Sequence, residues 1–189
     1  MRVISGRFKG HPLKAVPNMK TRPTTDKVKE SLFHQIGPYF DGGSALDLFA
    51  GSGNLGIEAI SRGMSSVVFV DHQYPAIQTV KDNVKKLKIS DQCEIFRNDA
   101  IRAVKAAGKH GKKFDYIFLD PPYRKVSFDK IFNQLIKADV LVEGAMVICE
   151  HDPNDELPLD LKQFEVVKQD TYSSTISITI FSYNLGGKL

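Results

Sequence analysis

Short apolar runs and longer amphipathic segments alternate along most of this chain, and this alternation restricts the fold more than any other feature. The short runs are rich in β-branched and aromatic residues, as in buried strands, and the segments between them have helical apolar spacing. The strand candidates are Ala45–Phe49, Val67–Val70, Glu94–Phe96, Tyr116–Leu119 and Ala145–Cys149, and the helix candidates are residues 55–62, 75–88, 100–107 and 127–138. This order predicts an α/β protein with a parallel, doubly wound sheet.

Three further elements flank the alternating region. A helix is expected before it, with Thr24 or Thr25 as the N-cap and Gly37-Pro38 at its end. Phe164–Lys168 and Thr175–Phe181 are strand candidates separated by a short loop, so we expect them to pair as an antiparallel hairpin. The predicted architecture is therefore a parallel sheet closed by a terminal antiparallel hairpin.

The first 30 residues are basic, whereas the rest of the chain is slightly acidic. Eight basic and two acidic residues give this segment a net charge of +6, which leaves −2 for the remainder because the total is +4. Residues 2–16 alternate and turn like a short hairpin, and basic side chains on such a ribbon can follow a phosphate backbone. A solvated tail is the alternative. We predict a basic hairpin or arm over residues 1–24 and one globular domain over residues 25–189.

The composition is that of an ordinary globular protein, with 42% hydrophobic and 25% charged residues. No apolar run approaches the roughly 20 residues of a membrane helix, and the N-terminus has no apolar core of a signal peptide. Cys93 and Cys149 stand alone in apolar runs, which predicts two reduced, packed thiols. No residues have metal-ligand spacing. We therefore expect a cytoplasmic protein without a metal.

A glycine-rich turn follows the first predicted strand. Gly51, Gly53 and Gly56 let the backbone approach a ligand and expose N–H groups near a helix N-terminus. Asp71 follows Gly51 by 20 residues at a strand end, where a carboxylate accepts hydrogen bonds from ribose hydroxyls. This segment, the glycine loop (residues 51–56), is predicted to bind a nucleotide. The spacing alone does not separate NAD from S-adenosylmethionine, and an ordinary tight turn is the other alternative.

Asp47 separates the two cofactors. It stands just ahead of the glycine loop, where a carboxylate would repel the doubly anionic pyrophosphate of NAD. S-adenosylmethionine has no phosphate and carries a cationic sulfur and an ammonium group, so the carboxylate favours it. Asn98 and Asp99, after the third strand, add a donor and an acceptor suited to an adenine amino group, although Asp99 equally suits the N-cap of the next helix. We predict S-adenosylmethionine as the cofactor.

The fourth strand ends at Asp120-Pro121-Pro122-Tyr123. Neither proline can donate to a sheet ladder, so the backbone leaves the sheet along a stiff path at the edge where ligands of open α/β sheets bind. We predict that Asp120 and the Pro121 carbonyl accept the two N–H bonds of a nucleobase amine and aim its lone pair at a methyl donor. Tyr123 is expected to stack on the base. The alternative is a stiff loop with an Asp cap.

Three blocks of sequence resemble the RsmD family of bacterial 16S rRNA guanine-N2 methyltransferases. They are Arg22–Phe33, Leu46–Gly63 and Asp120–Tyr123, and the turn Ser5–Gly10 and the chain length agree. The resemblance covers nearly the whole chain, and Arg22–Asp26 is its most specific part because many methyltransferases share the other two blocks. It implies a Rossmann-like, seven-stranded class I S-adenosylmethionine-dependent methyltransferase fold, and methylation of a guanine N2 in small-subunit rRNA.

The motifs and the resemblance together yield the expected site residues. They are Asp47, Phe49, Gly51, Gly53, Asp71, Asn98 and Asp99 around the cofactor, and Asp120, Pro121, Pro122 and Tyr123 at the target base. The expected RNA-binding residues are Arg7, Lys9 and Arg22 on phosphates, and Arg124 and Lys125 beside the catalytic mouth. The expected partner is 16S rRNA or the assembling small ribosomal subunit, bound by a monomer. The expected chemistry needs no metal and no membrane.

Three other functions remain open. An amino-methyltransferase acting on DNA adenine, another RNA guanine or a protein glutamine would keep the fold and the cofactor, although the glutamine enzymes typically have Asn in place of Asp120. An NAD-dependent oxidoreductase is disfavoured by Asp47 and by the lack of a second substrate domain. A non-catalytic RNA-binding protein would not need an intact glycine loop. Fold alone does not decide between them.

Overall fold

The structure is a computed structural model that describes residues 1–17, 25–122 and 126–186. Its helices are α1 (Asp26–Ile36), α2 (Asn54–Ser61), α3 (Tyr74–Leu87), α4 (Ala100–Lys109) and α5 (Phe128–Lys137). Its strands are β1 (Ser44–Asp47), β2 (Ser66–Asp71), β3 (Cys93–Arg97), β4 (Phe114–Leu119), β5 (Leu141–His151), β6 (Phe164–Ser173) and β7 (Ile176–Tyr183). Within the described ranges, no helix has both the length and the apolar character needed to cross a membrane.

The seven strands form one mixed sheet in the order β3-β2-β1-β4-β5-β7-β6. β1 pairs in parallel with both β2 and β4, whereas β7 pairs antiparallel with β5 and β6. The predicted parallel sheet with a terminal antiparallel hairpin is therefore confirmed. The order reverses between β1 and β4, and such a switch point opens a ligand crevice at the carboxyl ends of the two strands.

Helices pack on both faces of the sheet because successive strand residues point to opposite faces. Phe118 of β4 lies in a core shared with α1, α2 and α3, and its neighbours Ile117 and Leu119 lie in a core shared with α4 and α5. Both cores are closed from water, which is why the central strands read as continuous apolar runs rather than as alternating ones.

Strands β5 and β6 are longer than the sequence predicts. The register of β5 against β4 shifts between Phe114 and Tyr116, and Gly144 has a φ of 76°, so the first residues of β5 include an irregularity. Because Glu143-Gly144 resembles a turn, the predicted strand began only at Ala145. β6 is the edge strand and is mostly exposed, so its polar second half lacks the alternating burial that would reveal it.

Residues 1–14, the N-terminal hairpin, fold back through a single antiparallel bridge between Arg2 and Pro12. The predicted boundary of the arm at residue 24 lies outside the described residues and stays a prediction. Val3 N donates to His11 O at 3.0 Å. Val3 and Leu13 are buried in the core that contains α2, so the hairpin packs along the body. Of the two predicted caps of α1, Thr25 performs the role, and Thr24 lies outside the described residues.

Candidate active site at the carboxyl edge of the sheet

Each glycine of the glycine loop has its own structural reason. Gly51 has a φ of +54°, and a methyl group added to it would meet no atom within 4 Å, so it faces open space. Gly53 has a φ of +82° and is the N-cap of α2, a left-handed position that favours glycine. A Cβ on Gly56 would lie 2.3 Å from Phe69 Cε1, so this glycine allows α2 to pack closely on β2.

Asp47 lies beneath the glycine loop rather than in the open crevice. Its side chain is buried, and its Oδ2 accepts a hydrogen bond from Gly56 N at 3.3 Å. The pKa of Asp47 is raised to about 7: burial is the main cause and the charge of Asp71 adds to it, while hydrogen bonds from the Gly56 and Phe49 backbones act in the opposite direction. At this geometry Asp47 does not line the open crevice directly, and its predicted role at the cofactor stays a prediction.

Asp71 ends β2 and joins the glycine loop to α3. Its Oδ2 accepts from Gly51 N at 3.0 Å, and its Oδ1 accepts from Gln73 N at 2.9 Å. An ionised carboxylate has about four lone-pair sites, so two backbone hydrogen bonds leave capacity for ribose hydroxyls. His72 is largely exposed, with its Nδ1 3.6 Å from Asp71 Oδ1. The predicted ribose-binding role of Asp71 is compatible with this position and stays a prediction.

The residues after β3 have local partners. Asp99 is the N-cap of α4, and its Oδ1 accepts from Arg102 N at 3.1 Å. Asn98 Oδ1 accepts from Asp99 N at 2.9 Å. Of the two roles left open for Asp99, capping is therefore observed, and contact with an adenine stays a prediction. Phe49 is half-buried against the core that contains α4 and α5.

Asp120 follows β4 on the other side of the crevice. It is half-buried, Pro121 is buried and Pro122 is half-buried, so the backbone leaves the sheet as predicted. Burial raises the pKa of Asp120 well above its ordinary value, and the charges of Glu150 and Asp47 raise it further. The carboxyl groups of Asp120 and Asp47 are therefore close enough across the crevice for their charges to interact. Tyr123 lies outside the described residues, as do Arg124 and Lys125.

Glu150 is a site residue that the sequence did not reveal. It is 4% exposed in β5, and the pairing of Leu119 with Cys149 places it beside Asp120 on the neighbouring strand. An acidic residue directly after the apolar run Ala145–Cys149 was the available signal. Three carboxyl groups therefore gather where β1, β4 and β5 end, and this proximity contributes to the raised pKa of Asp120.

The predicted RNA-contacting residues Arg7 and Lys9 are not brought to this edge. Arg7 N donates to Ser61 O at 2.8 Å, and Arg7 Nη2 donates to Gln92 Oε1 at 2.7 Å. Ser61 ends α2, whereas the glycine loop begins it, so the hairpin tip lies about 12 Å away along the eight-residue helix. Both basic side chains are exposed there. Arg22 lies outside the described residues.

Comparison with known proteins places this architecture in a family. The family model described as "Conserved hypothetical protein 95" matches residues 1–181. The chain is 50% identical over 175 residues to "Putative rRNA methyltransferase YlbH" of Bacillus subtilis, which covers 93% of this chain and 95% of that protein. It is 34% identical to "Ribosomal RNA small subunit methyltransferase D" of Buchnera aphidicola, over 82% of this chain and 80% of that protein.

A solved structure agrees with these relatives. "Putative methyltransferase yhhF from Escherichia coli" superposes with a TM-score of 0.84 at 26% identity, and the alignment covers 97% of this chain and 98% of that chain. The predicted Rossmann-like, seven-stranded class I methyltransferase fold is therefore confirmed. From the family model and from relatives of this identity and coverage, the chain belongs to the RsmD family of bacterial rRNA methyltransferases.

Proposed function

We propose that this chain transfers a methyl group from S-adenosylmethionine to the exocyclic N2 amine of a guanine in 16S rRNA, in the cytoplasm. The observation that carries this proposal is the parallel pairing of β1 with β4 at the switch point of the sheet. The glycine loop follows β1, and Asp120-Pro121-Pro122 follows β4. A methyl donor at the first segment and an amine at the second would face each other, as an in-line displacement requires.

The described residues fit S-adenosylmethionine better than a dinucleotide. Gly51 opens onto free space, so a ligand can approach the loop backbone closely. Asp47 lies under the loop and Asp71 binds it from the side, and both carboxyl groups would repel a pyrophosphate. A sulfonium and an ammonium would be attracted instead. When bound, S-adenosylmethionine supplies an electrophilic methyl group at this edge.

Asp120 and Pro121 then hold the nucleophile. A guanine N2 amine is a poor nucleophile because its lone pair is delocalised into the ring. Accepting its N–H bonds on Asp120 Oδ and on the Pro121 carbonyl holds the amine with its lone pair directed outward. Burial and the neighbouring carboxyl groups disfavour ionisation of Asp120, but a positive charge that develops on nitrogen favours its ionised form, which then stabilises that charge in the transition state. We place Tyr123 on the face of the base because of its position in the motif.

Small-subunit rRNA as substrate rests on the family. Relatives at 30–34% identity are named ribosomal RNA small subunit methyltransferase D. A base inside a duplex would not reach Asp120, so the target guanine must be unstacked or already looped out. The proposed contacts of Asp120 and Pro121 suit an amine on any nucleobase, and the choice of guanine over adenine rests on the resemblance to the RsmD family.

Methyl incorporation from labelled S-adenosylmethionine tests this proposal. We expect incorporation into small ribosomal subunits, or their rRNA, that lack the modification. Asp120→Ala should lower turnover by about 10²-fold or more, because it removes an electrostatic contact to the transition state. Cofactor affinity, measured by calorimetry, should stay within about threefold of the wild type. Retained turnover in this variant would contradict the proposed mechanism, and loss of cofactor binding would contradict the separate roles of the two segments.

A further inference from the structure

The open end of the N-terminal hairpin lies against the glycine loop. The hairpin runs along α2: at its tip, Phe8 N donates to Ser61 Oγ at 2.9 Å, where α2 ends. At its other end, Met1 Sδ accepts a hydrogen bond from Ser52 Oγ at 3.4 Å. Ser52 belongs to the glycine loop. The segment that carries the basic charge is therefore also in contact with the proposed cofactor site.

A buried lysine bridges the hairpin and the loop from the side of α1. Lys29 is 0% exposed, and its Nζ donates both to Arg2 O and to Asn54 Oδ1, each at 2.7 Å. Arg2 belongs to the hairpin, and Asn54 is the first residue of α2. Glu58 provides the counter-charge, with its Oε2 3.1 Å from Lys29 Nζ. A buried ammonium is costly unless it is paired and hydrogen-bonded, so this arrangement holds Lys29 in one position.

A buried asparagine makes a second bridge from the side of α3. Asn83 is also 0% exposed. Its Nδ2 donates to Lys14 O at 3.1 Å and to Ser52 O at 2.9 Å, and its Oδ1 accepts from Lys14 N at 2.8 Å. One side chain thus joins the backbone at the end of the hairpin to the backbone of the glycine loop.

We propose that Asn83 and Lys29 are positioning residues, and that through them the N-terminal hairpin supports the glycine loop for cofactor binding. Glycine gives a loop large conformational freedom, and ordering that freedom on binding costs affinity. Two buried bridges to the hairpin order the loop before the ligand arrives. The hairpin therefore contributes to cofactor affinity in the absence of RNA. This inference rests on the proposed binding of S-adenosylmethionine at the glycine loop.

Calorimetric titration of S-adenosylmethionine into three variants tests it without RNA. Asn83→Ala removes the second bridge, and Asn54→Ala removes the loop end of the first while leaving Lys29 with Glu58. The matched control is Thr79→Val, which removes a hydrogen bond within α3, from Thr79 Oγ1 to Pro75 O, and leaves both bridges to the hairpin in place. We expect the dissociation constant to rise about three- to tenfold in each alanine variant, as for a lost hydrogen bond, and to stay unchanged in the control.

Two further measurements separate positioning from a general loss of stability. In steady-state assays on rRNA, KM for S-adenosylmethionine should rise in Asn83→Ala while kcat stays within about twofold of the wild type. Amide hydrogen exchange in the glycine loop should be faster in Asn83→Ala than in Thr79→Val. Unchanged cofactor affinity and unchanged exchange in Asn83→Ala would overturn this inference but would leave the proposed function standing. Absence of binding to the wild type would overturn the proposed function, and the inference with it.

Discussion

Asp47 shows how one buried carboxyl group is tuned by its surroundings. The environment under the glycine loop raises its pKa from an ordinary 3.8 to about 7. Its folded-state pKa therefore lies above its unfolded value, so the native state binds the extra proton. Its contribution to the stability of the unliganded protein decreases as pH rises from 3.8 to about 7. A bound cation reverses this preference, because it favours the ionised form.

We expect the affinity for S-adenosylmethionine to increase with pH. Below about pH 7 Asp47 is mostly neutral and attracts the sulfonium weakly, so binding there must release a proton. Between about pH 5.5 and pH 7 the dissociation constant should fall by about tenfold. Calorimetry in buffers of different ionisation enthalpy measures both the affinity and the released proton. Asp47→Asn should lose this pH dependence, and a level affinity in the wild type would contradict the role of Asp47.

At the scale of elements, α2 depends on two glycines for different reasons. Gly56 lies where a Cβ would come within 2.3 Å of Phe69 Cε1, so it determines how closely α2 approaches β2. A Cβ on Gly51 would meet no atom within 4 Å, and we propose that the cofactor binds on this open side. Substitution at the first should therefore affect packing, and substitution at the second should affect binding.

Two alanine variants should separate these roles. Gly56→Ala should lower the free energy of unfolding by about 1–3 kcal/mol or more, because the core must shift to admit a methyl group. Gly51→Ala should cost about 1–2 kcal/mol for its left-handed backbone, and it should weaken S-adenosylmethionine binding more than its stability loss explains. Urea denaturation and cofactor titration measure the two effects, with Gly186→Ala, which has open space and no positive φ, as control. Unchanged cofactor binding in Gly51→Ala would contradict this assignment.

A buried ion cluster joins α1, α2 and the hairpin. Glu58 Oε1 is 2.8 Å from Arg62 Nε, and its Oε2 is 3.1 Å from Lys29 Nζ. The same carboxylate accepts from Ile4 N at 2.8 Å and from Ser5 N at 3.0 Å. One side chain therefore pairs with two buried basic groups and also holds the hairpin backbone.

Glu58→Gln should be among the most destabilising isosteric changes in the chain. It removes the carboxylate that pairs directly with both buried basic groups, Lys29 and Arg62, for which about 3–5 kcal/mol is expected. Asp82→Asn, which breaks the exposed pair with Lys14, should leave the free energy of unfolding nearly unchanged. Denaturation of both variants measures the difference. Equal small losses in the two would show that the cluster does not stabilise the fold.

The elements were largely predictable from local pattern, and the links between them were not. Apolar periodicity located all the central strands, and Asp-Pro-Pro marked the end of β4. The bridges of Lys29 and Asn83 were hidden because their partners lie far away along the chain: Asn54 is 25 residues from Lys29, and Lys14 is 69 residues from Asn83. Glu150 was missed for the same reason, since its position beside Asp120 depends on the pairing of β5 with β4.

At the scale of the whole molecule, basic residues of the described ranges lie along the hairpin, whereas the carboxyl edge of the sheet contains acidic groups. The carboxyl edge contains Asp47, Asp120 and Glu150, whereas Arg7 and Lys9 stand at the hairpin tip. The sequence predicts that these basic residues contact RNA, but it does not reveal the direction in which the hairpin runs along the body. An RNA that presents a base to Asp120 and also contacts the tip must extend along α2.

The salt dependence of RNA binding tests this extended path. Arg7→Ala combined with Lys9→Ala should weaken binding and lower the slope of log Kd against log salt by about 0.7 for each lost phosphate contact. A matched pair on the opposite face, Lys105→Ala with Lys109→Ala, has exposed lysines on α4 and should leave the slope unchanged. Equal changes in the two double variants would place the RNA elsewhere.

The identity of the methylated nucleoside tests the central claim most directly. Small subunits or 16S rRNA lacking the modification would be incubated with the protein and S-adenosylmethionine, digested to nucleosides and resolved by mass spectrometry. We predict N2-methylguanosine, absent from a parallel reaction with Asp120→Ala. A methylated adenosine, or no methylated nucleoside in the wild-type reaction, would contradict the account.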